Sequence, residues 1–284
     1  MEASPVETVQ VRLQSRPESV ALVRAMLTGA SEQLDFGPEL LADLKTAVSE
    51  ACNNVILHAY PDTLGPMTVC LRSDPDTVQA TVTDIGQGLA HPGPAGEPPG
   101  LGFAVINALA AQARLHSDPG RGTDVHMVFA RGRWPGPRSQ RATSLPRATS
   151  PAQVNGAVVL SVFPVELLAG ILGRIAGCLA AEAHFSIDRY SDLYLVTDGI
   201  AAHACAHASD ARISAGLVAR SRQIDLTVGP FKAGTTTQLQ SACRRTPPML
   251  LAVLVDQAAL ESRDGSEAVR LMLIDQRHQI SEAN

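Results

Sequence analysis

Between Arg131 and Gly156 the sequence reads RGRWPGPRSQRATSLPRATSPAQVNG, with five arginines, four prolines and no acidic residue. Its few apolar residues recur at neither strand nor helix spacing, so the run has no face to offer a core. Each proline also removes a backbone donor. By composition it is a linker. A chain of 284 residues divided in this way is expected to fold as two modest units, residues 1–130 and 156–284, joined through 131–155. Trp134, the only tryptophan, falls in the linker.

Hydrophobic residues make up 45% of the chain but aromatics only 4%, so both cores must be built from Ala, Val, Leu and Ile. A net charge of −5 gives no basic footprint, and direct nucleic-acid binding is not expected. The opening MEASPVETVQVRLQ has no basic segment followed by an apolar run, so no secretory leader is expected. The most apolar stretch, Ala157 to Ala183, is broken by Glu166, Arg174 and Glu182 and reads as an amphipathic strand–helix pair, not a membrane span. Cys52, Cys70, Cys178, Cys205 and Cys243 are odd in number and form no CxxC pair, so neither a zinc site nor a disulfide framework is expected. A cytoplasmic protein follows from these features.

In the first unit Val9, Val11 and Leu13 alternate as in a strand, and Val20, Val23 and Leu27 then repeat at helical spacing. A second helix is expected from Pro38 to Ala59, with Leu41, Leu44, Val48, Ala51 and Val55 as its apolar stripe. Strands follow at Met67–Arg72 and Val78–Thr83, a helix near Gly102–Ala113, and a closing strand through Val125, Met127 and Phe129. Helices on one face of a mixed sheet make an α/β two-layer sandwich.

Three short motifs in this unit carry chemistry. In Ser49-Glu50-Ala51-Cys52-Asn53-Asn54-Val55-Ile56-Leu57-His58-Ala59, residues four apart stack on a helix, giving a polar ridge of Glu50, Asn54 and His58. A carboxylate and a carboxamide so placed suit a hard cation that keeps waters and touches phosphates; a solvated helix face has the same pattern. Asp84-Ile85-Gly86-Gln87-Gly88 follows a strand directly. Its carboxylate suits an exocyclic amine such as that of adenine, and its glycines let a flat ring lie close, though Asp-X-Gly turns are common. Gly100-Leu101-Gly102-Phe103 opens a helix, where free N–H groups favour phosphate. Finally, Gly122-Thr123 precedes the last strand, where the Thr123 hydroxyl is placed to support Asp84; a plain β-turn has the same sequence.

In one order and at consistent spacing, SEACNNVILHAY, VTDIGQGL, GLGFAVINALA and GTDVHMVF resemble the nucleotide-binding boxes of the GHKL (Bergerat-fold) ATPase superfamily. They look most like those of the small bacterial anti-sigma-factor serine/threonine kinases. The resemblance covers about residues 6–130. It implies a Bergerat fold that binds ATP and magnesium, with Glu50 as catalytic general base and Asn54 as the Mg²⁺ ligand. It further implies that Asp84 binds adenine with Gly86 and Gly88 bordering the base, that Gly100, Leu101 and Gly102 fold over the phosphates, and that Thr123 supports the base site. His58 is given a structural role. A histidine kinase would need a preceding helix pair bearing a phospho-accepting histidine, and no histidine precedes Glu50. Gyrase-type and chaperone-type ATPases carry a longer lid than the stretch from Gly88 to Gly100.

The second unit repeats the order of elements, as a tandem repeat would; few identities survive, and chance similarity between two α/β units gives the same order. Sliding the chain so that Phe36 meets Phe185 also superposes Asp43 on Asp192, Leu44 on Leu193, His58 on His207, Ala59 on Ala208 and Val11 on Leu160. After a short deletion Thr81-Val82 meets Thr227-Val228 and Gly88 meets Gly234. The chemistry does not carry over: Glu50 falls on Gly199, Asn54 on His203, Asp84 on Pro230, and Gly100 and Gly102 on Met249 and Leu251. Asp198 is one step from the base position, which turns it away on a helix. His203 and His207 have ligand spacing but no evident third ligand. The second unit is therefore expected to keep the fold without binding ATP.

The resemblance implies a protein kinase acting by partner switching. It would phosphorylate an anti-anti-sigma (STAS-type) protein and hold a sigma factor, working as a homodimer or as a pseudo-dimer within the chain. The alternative is a non-catalytic regulatory binding protein in which ATP is a conformational ligand; an autonomous metabolic ATPase ranks behind both.

Overall fold

A computed structural model describes residues 6–88, 101–132, 154–236, 253–263 and 265–276. Trp134 with most of the linker, Gly100, and the positions Met249 and Leu251 lie outside the described residues.

The first half runs β1 (Glu7–Gln14), α1 (Ser19–Gln33), α2 (Pro38–Asn54) with a π-helical extension at Val55–Ala59, β2 (Pro66–Ser73), β3 (Thr77–Asp84), α3 (Leu101–Leu109), β4 (Gln112–Asp118) and β5 (Gly122–Ala130). The second runs β6 (Val158–Phe163), α4 (Leu167–Glu182), α5 (Ile187–His207), β7 (Ile213–Arg220), β8 (Gln223–Lys232), β9 (Gln257–Arg263) and β10 (Ser266–Ile274). Alternation in β1 buries Val9, Val11 and Leu13 against the helices and turns Thr8, Gln10 and Arg12 to the other face. Pro38 at the first turn of α2 presets the backbone where no amide partner is needed. Its stripe of Leu44, Val48, Ala51 and Cys52 is wholly buried, and the larger aliphatics Leu44 and Val48 each contribute about 1.5–3 kcal/mol.

The strands form one ten-stranded sheet ordered β4-β5-β3-β2-β1-β6-β7-β8-β10-β9. Every pair is antiparallel, which corrects the expectation of a mixed sheet. Each helix crosses the sheet once, so the two helices between β1 and β2 return the chain to the end from which β2 runs opposite. A second correction concerns α3, which stops at Leu109 rather than Ala113 and frees Gln112–Asp118 to form the edge strand β4.

The halves meet at the middle of the sheet. Val11 lies opposite Leu160, the residues that coincide when Phe36 is slid onto Phe185. Gln10 opposite Ser161 and Arg12 opposite Val159 are then one pairing seen from either side, the self-complementary pattern of a twofold contact. Above this seam α1 packs on α4 at a glycine contact so close that a β-carbon on Gly29 would overlap the carbonyl oxygen of Gly170. Both halves have left-handed turns at similar places: Asp35 (φ 52°) and His184 (φ 58°) end α1 and α4, and Gly88 (φ 66°) and Gly234 (φ 82°) follow β3 and β8. No helix among the described residues is long and apolar enough to cross a membrane.

Candidate functional site

The site gathers where α2 ends, β3 ends and α3 begins. Widening of α2 into a π turn over Val55–Ala59 leaves carbonyls of its last residues without helical partners. The loop after β3 supplies donors for them: the Gln87 amide donates to Ala59 O at 3.0 Å, and Gln87 Nε2 donates to His58 O at 2.8 Å. Gly86 is required there, since a β-carbon would overlap Ala59 O. Gly88 adopts φ 66°, and a side chain on it would overlap Asp118 O. Gly120 N, in the β4–β5 turn, donates to Gln87 O at 2.8 Å. The Asp-Ile-Gly-Gln-Gly loop is thus clamped between the helix end and a hairpin.

Asp84 is buried at the end of β3. Its Oδ1 accepts from Gly86 N at 2.8 Å. Burial raises its pKa, the Gly86 and Thr123 amides oppose this, and Asp124 adds to the rise. A carboxylate has about four acceptor sites, so acceptor capacity remains for a donor entering the pocket. The Thr123 hydroxyl pairs with Ser117 Oγ at 3.0 Å, and its backbone amide favours the charged form of Asp84.

Glu50 and Asn54 stand half-buried on α2, facing the start of α3. A β-carbon on Gly102 would overlap Glu50 Oε1 and lie 3.2 Å from Asn54 Nδ2. The structure therefore brings Glu50, Asn54 and Gly102 together, and separately Asp84, Gly86, Gly88 and Thr123. Leu101 contributes the first residue of α3. His58 is exposed, and its carbonyl holds Gln87. Among the described residues no three His, Cys, Asp or Glu side chains could hold a metal. A cation at Asn54 and Glu50 would have to bring its own oxygen ligands, as magnesium does with phosphates and water.

Tyr60 completes the site and had been given no role from sequence, although it directly follows His58 and Ala59. Its hydroxyl accepts from Ile85 N at 3.0 Å and donates to Pro66 O at 2.8 Å. It ties the Asp84 loop to the start of β2.

At the corresponding place in the second half the acceptors are replaced. The His203 ring packs 4.5 Å from His207 and edge-on at 5.1 Å to the buried Phe231. Burial first, then the neighbouring His207, lower the His203 pKa to about 4. Pro230 offers no side-chain acceptor. Glu267 accepts from Gly234 N at 2.8 Å and from the amide and hydroxyl of Thr236, holding the loop after β8 in place.

The description "Histidine kinase-like ATPase domain" fits residues 13–129 as a family match. An anti-sigma F factor from Pasteuria penetrans is 33% identical over 132 residues, covering 42% of this chain and 88% of the relative. Another, from Caldanaerobacter subterraneus, is 30% identical over 135 residues, covering 44% and 94%. The serine-protein kinase RsbW of Bacillus mycoides is 30% identical over 80 residues, 28% of this chain and 50% of its own length.

Proposed function

The chain belongs, through its first half, to the family of histidine kinase-like ATPases that includes the anti-sigma F factors, and on that premise we propose that it is an ATP-dependent serine/threonine protein kinase acting by partner switching. The observation that carries this reading is the convergence of Glu50 and Asn54 on Gly102, together with a buried Asp84 that retains acceptor capacity.

In this reading Asp84 receives the exocyclic amine of adenine, and the clamped Gly86–Gly88 loop borders the base. Gly100, Leu101 and Gly102 would hold the phosphates at the start of α3, since free amides at a helix N-terminus favour phosphate. Asn54 holds Mg²⁺, which supplies charge neutralisation for the transferred phosphoryl group. Glu50 takes the proton of the substrate hydroxyl. The substrate is a serine or threonine of a STAS-type anti-anti-sigma protein, and the second partner is a sigma factor held while the antagonist is phosphorylated. All three meet in the cytoplasm.

The second half is read as a degenerate copy, residues 156–284, that serves as a built-in partner. Support comes from the twofold pairing at Val11 and Leu160 and from the matched turns at Asp35 and His184. His203 and Pro230, in the places of Asn54 and Asp84, remove its ATP site.

Radiolabelled ATP incubated with the protein and candidate STAS proteins tests the reading. Transfer of label that disappears in Glu50→Ala supports a kinase. Tight ATP binding without transfer to any candidate overturns it in favour of ATP as a conformational ligand.

A further inference from the structure

Among the described residues the helices α1–α5 lie on one face of the sheet, whose inner side carries Val9, Val11, Val69, Leu71, Ala80 and Val82 in the first half. On the opposite face the register sets polar residues in rows. Gln79, Arg72, Thr8 and Phe163 form one row across β3, β2, β1 and β6; Thr83, Thr68, Arg12 and Val159 form another. No acidic side chain stands on this face of those four strands.

Arg12 and Arg72, together with Arg212 just before β7, meet no acidic partner among the described residues. Some other arginines are paired with carboxylates, Arg174 with Glu32, Arg189 with Asp192 and Asp256, Arg220 with Asp225, and Arg222 with Asp275, while Arg24 and Arg131 bond hydroxyl and carbonyl oxygens. The three converge. Arg212 lies 5.7 Å over the Phe163 ring, in the same row as Arg72. The Cys70 thiol feels the charge of both Arg72 and Arg212, although burial is what raises its pKa. Nothing in the packing calls for cations here, since threonine, serine and glutamine occupy neighbouring positions on the same strands.

We propose that this face docks an acidic segment of a partner protein, with Arg12, Arg72 and Arg212 as its carboxylate-binding groups. Guanidinium forks match carboxylates in paired hydrogen bonds. A nucleic acid fits the surface less well. Sheets that bind single strands stack bases on exposed aromatics, whereas the one aromatic of these rows, Phe163, already lies under Arg212. The chain's charge of −5 also gives no long-range attraction for a polynucleotide. The face lies across the sheet from α2 and α3, so docking here leaves the nucleotide site open. The inference does not rest on phosphoryl transfer by the first half.

The test is fluorescence anisotropy of the full chain with a labelled oligoglutamate peptide, and in parallel with single-stranded oligouridylate. Wild type is expected to bind oligoglutamate with an affinity that falls as salt rises. Joint substitution Arg12→Gln, Arg72→Gln and Arg212→Gln is expected to weaken binding at least about tenfold with the thermal midpoint unchanged. Should the triple variant lose its thermal transition, Arg12→Gln alone, at an exposed position, is expected to weaken binding about threefold. No binding by wild type overturns the proposal. So does undiminished binding by the variants, which assigns it to the arginine-rich linker, or tighter binding of the RNA through the same arginines.

Discussion

Gly102, in the first turn of α3, leaves so little room beside Glu50 of α2 that a β-carbon in its place would overlap the Glu50 Oε1 atom. The atom it would strike is the far end of a flexible side chain, so the fold can absorb the change by moving the carboxylate. Position and stability are separable at this contact.

For Gly102→Ala the expected outcome is a thermal midpoint within about 2 °C of wild type and phosphoryl transfer reduced roughly 100-fold, the scale of a displaced general base. Differential scanning fluorimetry and a label-transfer assay read the two. A large loss of stability with activity per folded molecule intact would contradict the placement of Glu50.

Asp84→Asn is expected to stabilise the nucleotide-free protein at neutral pH while abolishing ATP binding. Burial raises the Asp84 pKa, so the folded state holds this proton more firmly than the unfolded state. The stability linked to that proton is complete below about pH 3.9, the ordinary carboxylate value, and is lost as pH rises through the folded pKa. Asparagine removes the loss. Its advantage over wild type in urea denaturation should be greatest near pH 7 and narrow on acidification.

Much of this site was legible because its chemistry sits in short contiguous runs. The Glu50–His58 ridge, the Asp84 loop and the Gly102 turn each declare themselves within a few residues, and the apolar stripe of α2 predicted its burial. The π turn was not legible: periodicity carried an α-helix through to Ala59, and the donors that meet its last carbonyls come from Gln87, a residue far along the chain. β4 was missed because QARLHSD is an edge strand with little apolar alternation, and its place comes from pairing with β5. The arginines facing across the sheet are scattered in sequence and become neighbours only through strand register.

Gly29→Ala should separate α1 from α4, since the new methyl meets backbone at Gly170 that cannot swing aside. A loss of about 1–3 kcal/mol, typical of overpacking, is expected in chemical denaturation. If the halves unfold together, the transition stays single. A second, separate transition in the variant would show that the seam alone couples them.

His203→Leu is expected to flatten the acid side of the stability profile. The His203 pKa is lowered to about 4 by burial and by His207, below its ordinary value near 6.5. Its contribution to stability is present above about pH 6.5 and lost as pH falls towards 4. Thermal midpoints across that window should fall less steeply in the variant, with ATP binding by the first half unchanged at neutral pH.

The pairing of Val11 with Leu160 makes assembly of the two halves a first-order event. Dilution cannot part surfaces carried on one chain, and overexpression cannot force them together; their effective concentration is set by the tether. A two-chain assembly exchanges its members, so one altered copy can poison a pool of normal ones. Here the strand-to-strand pairing of the two halves stays within one chain, so an altered copy cannot displace either half from it.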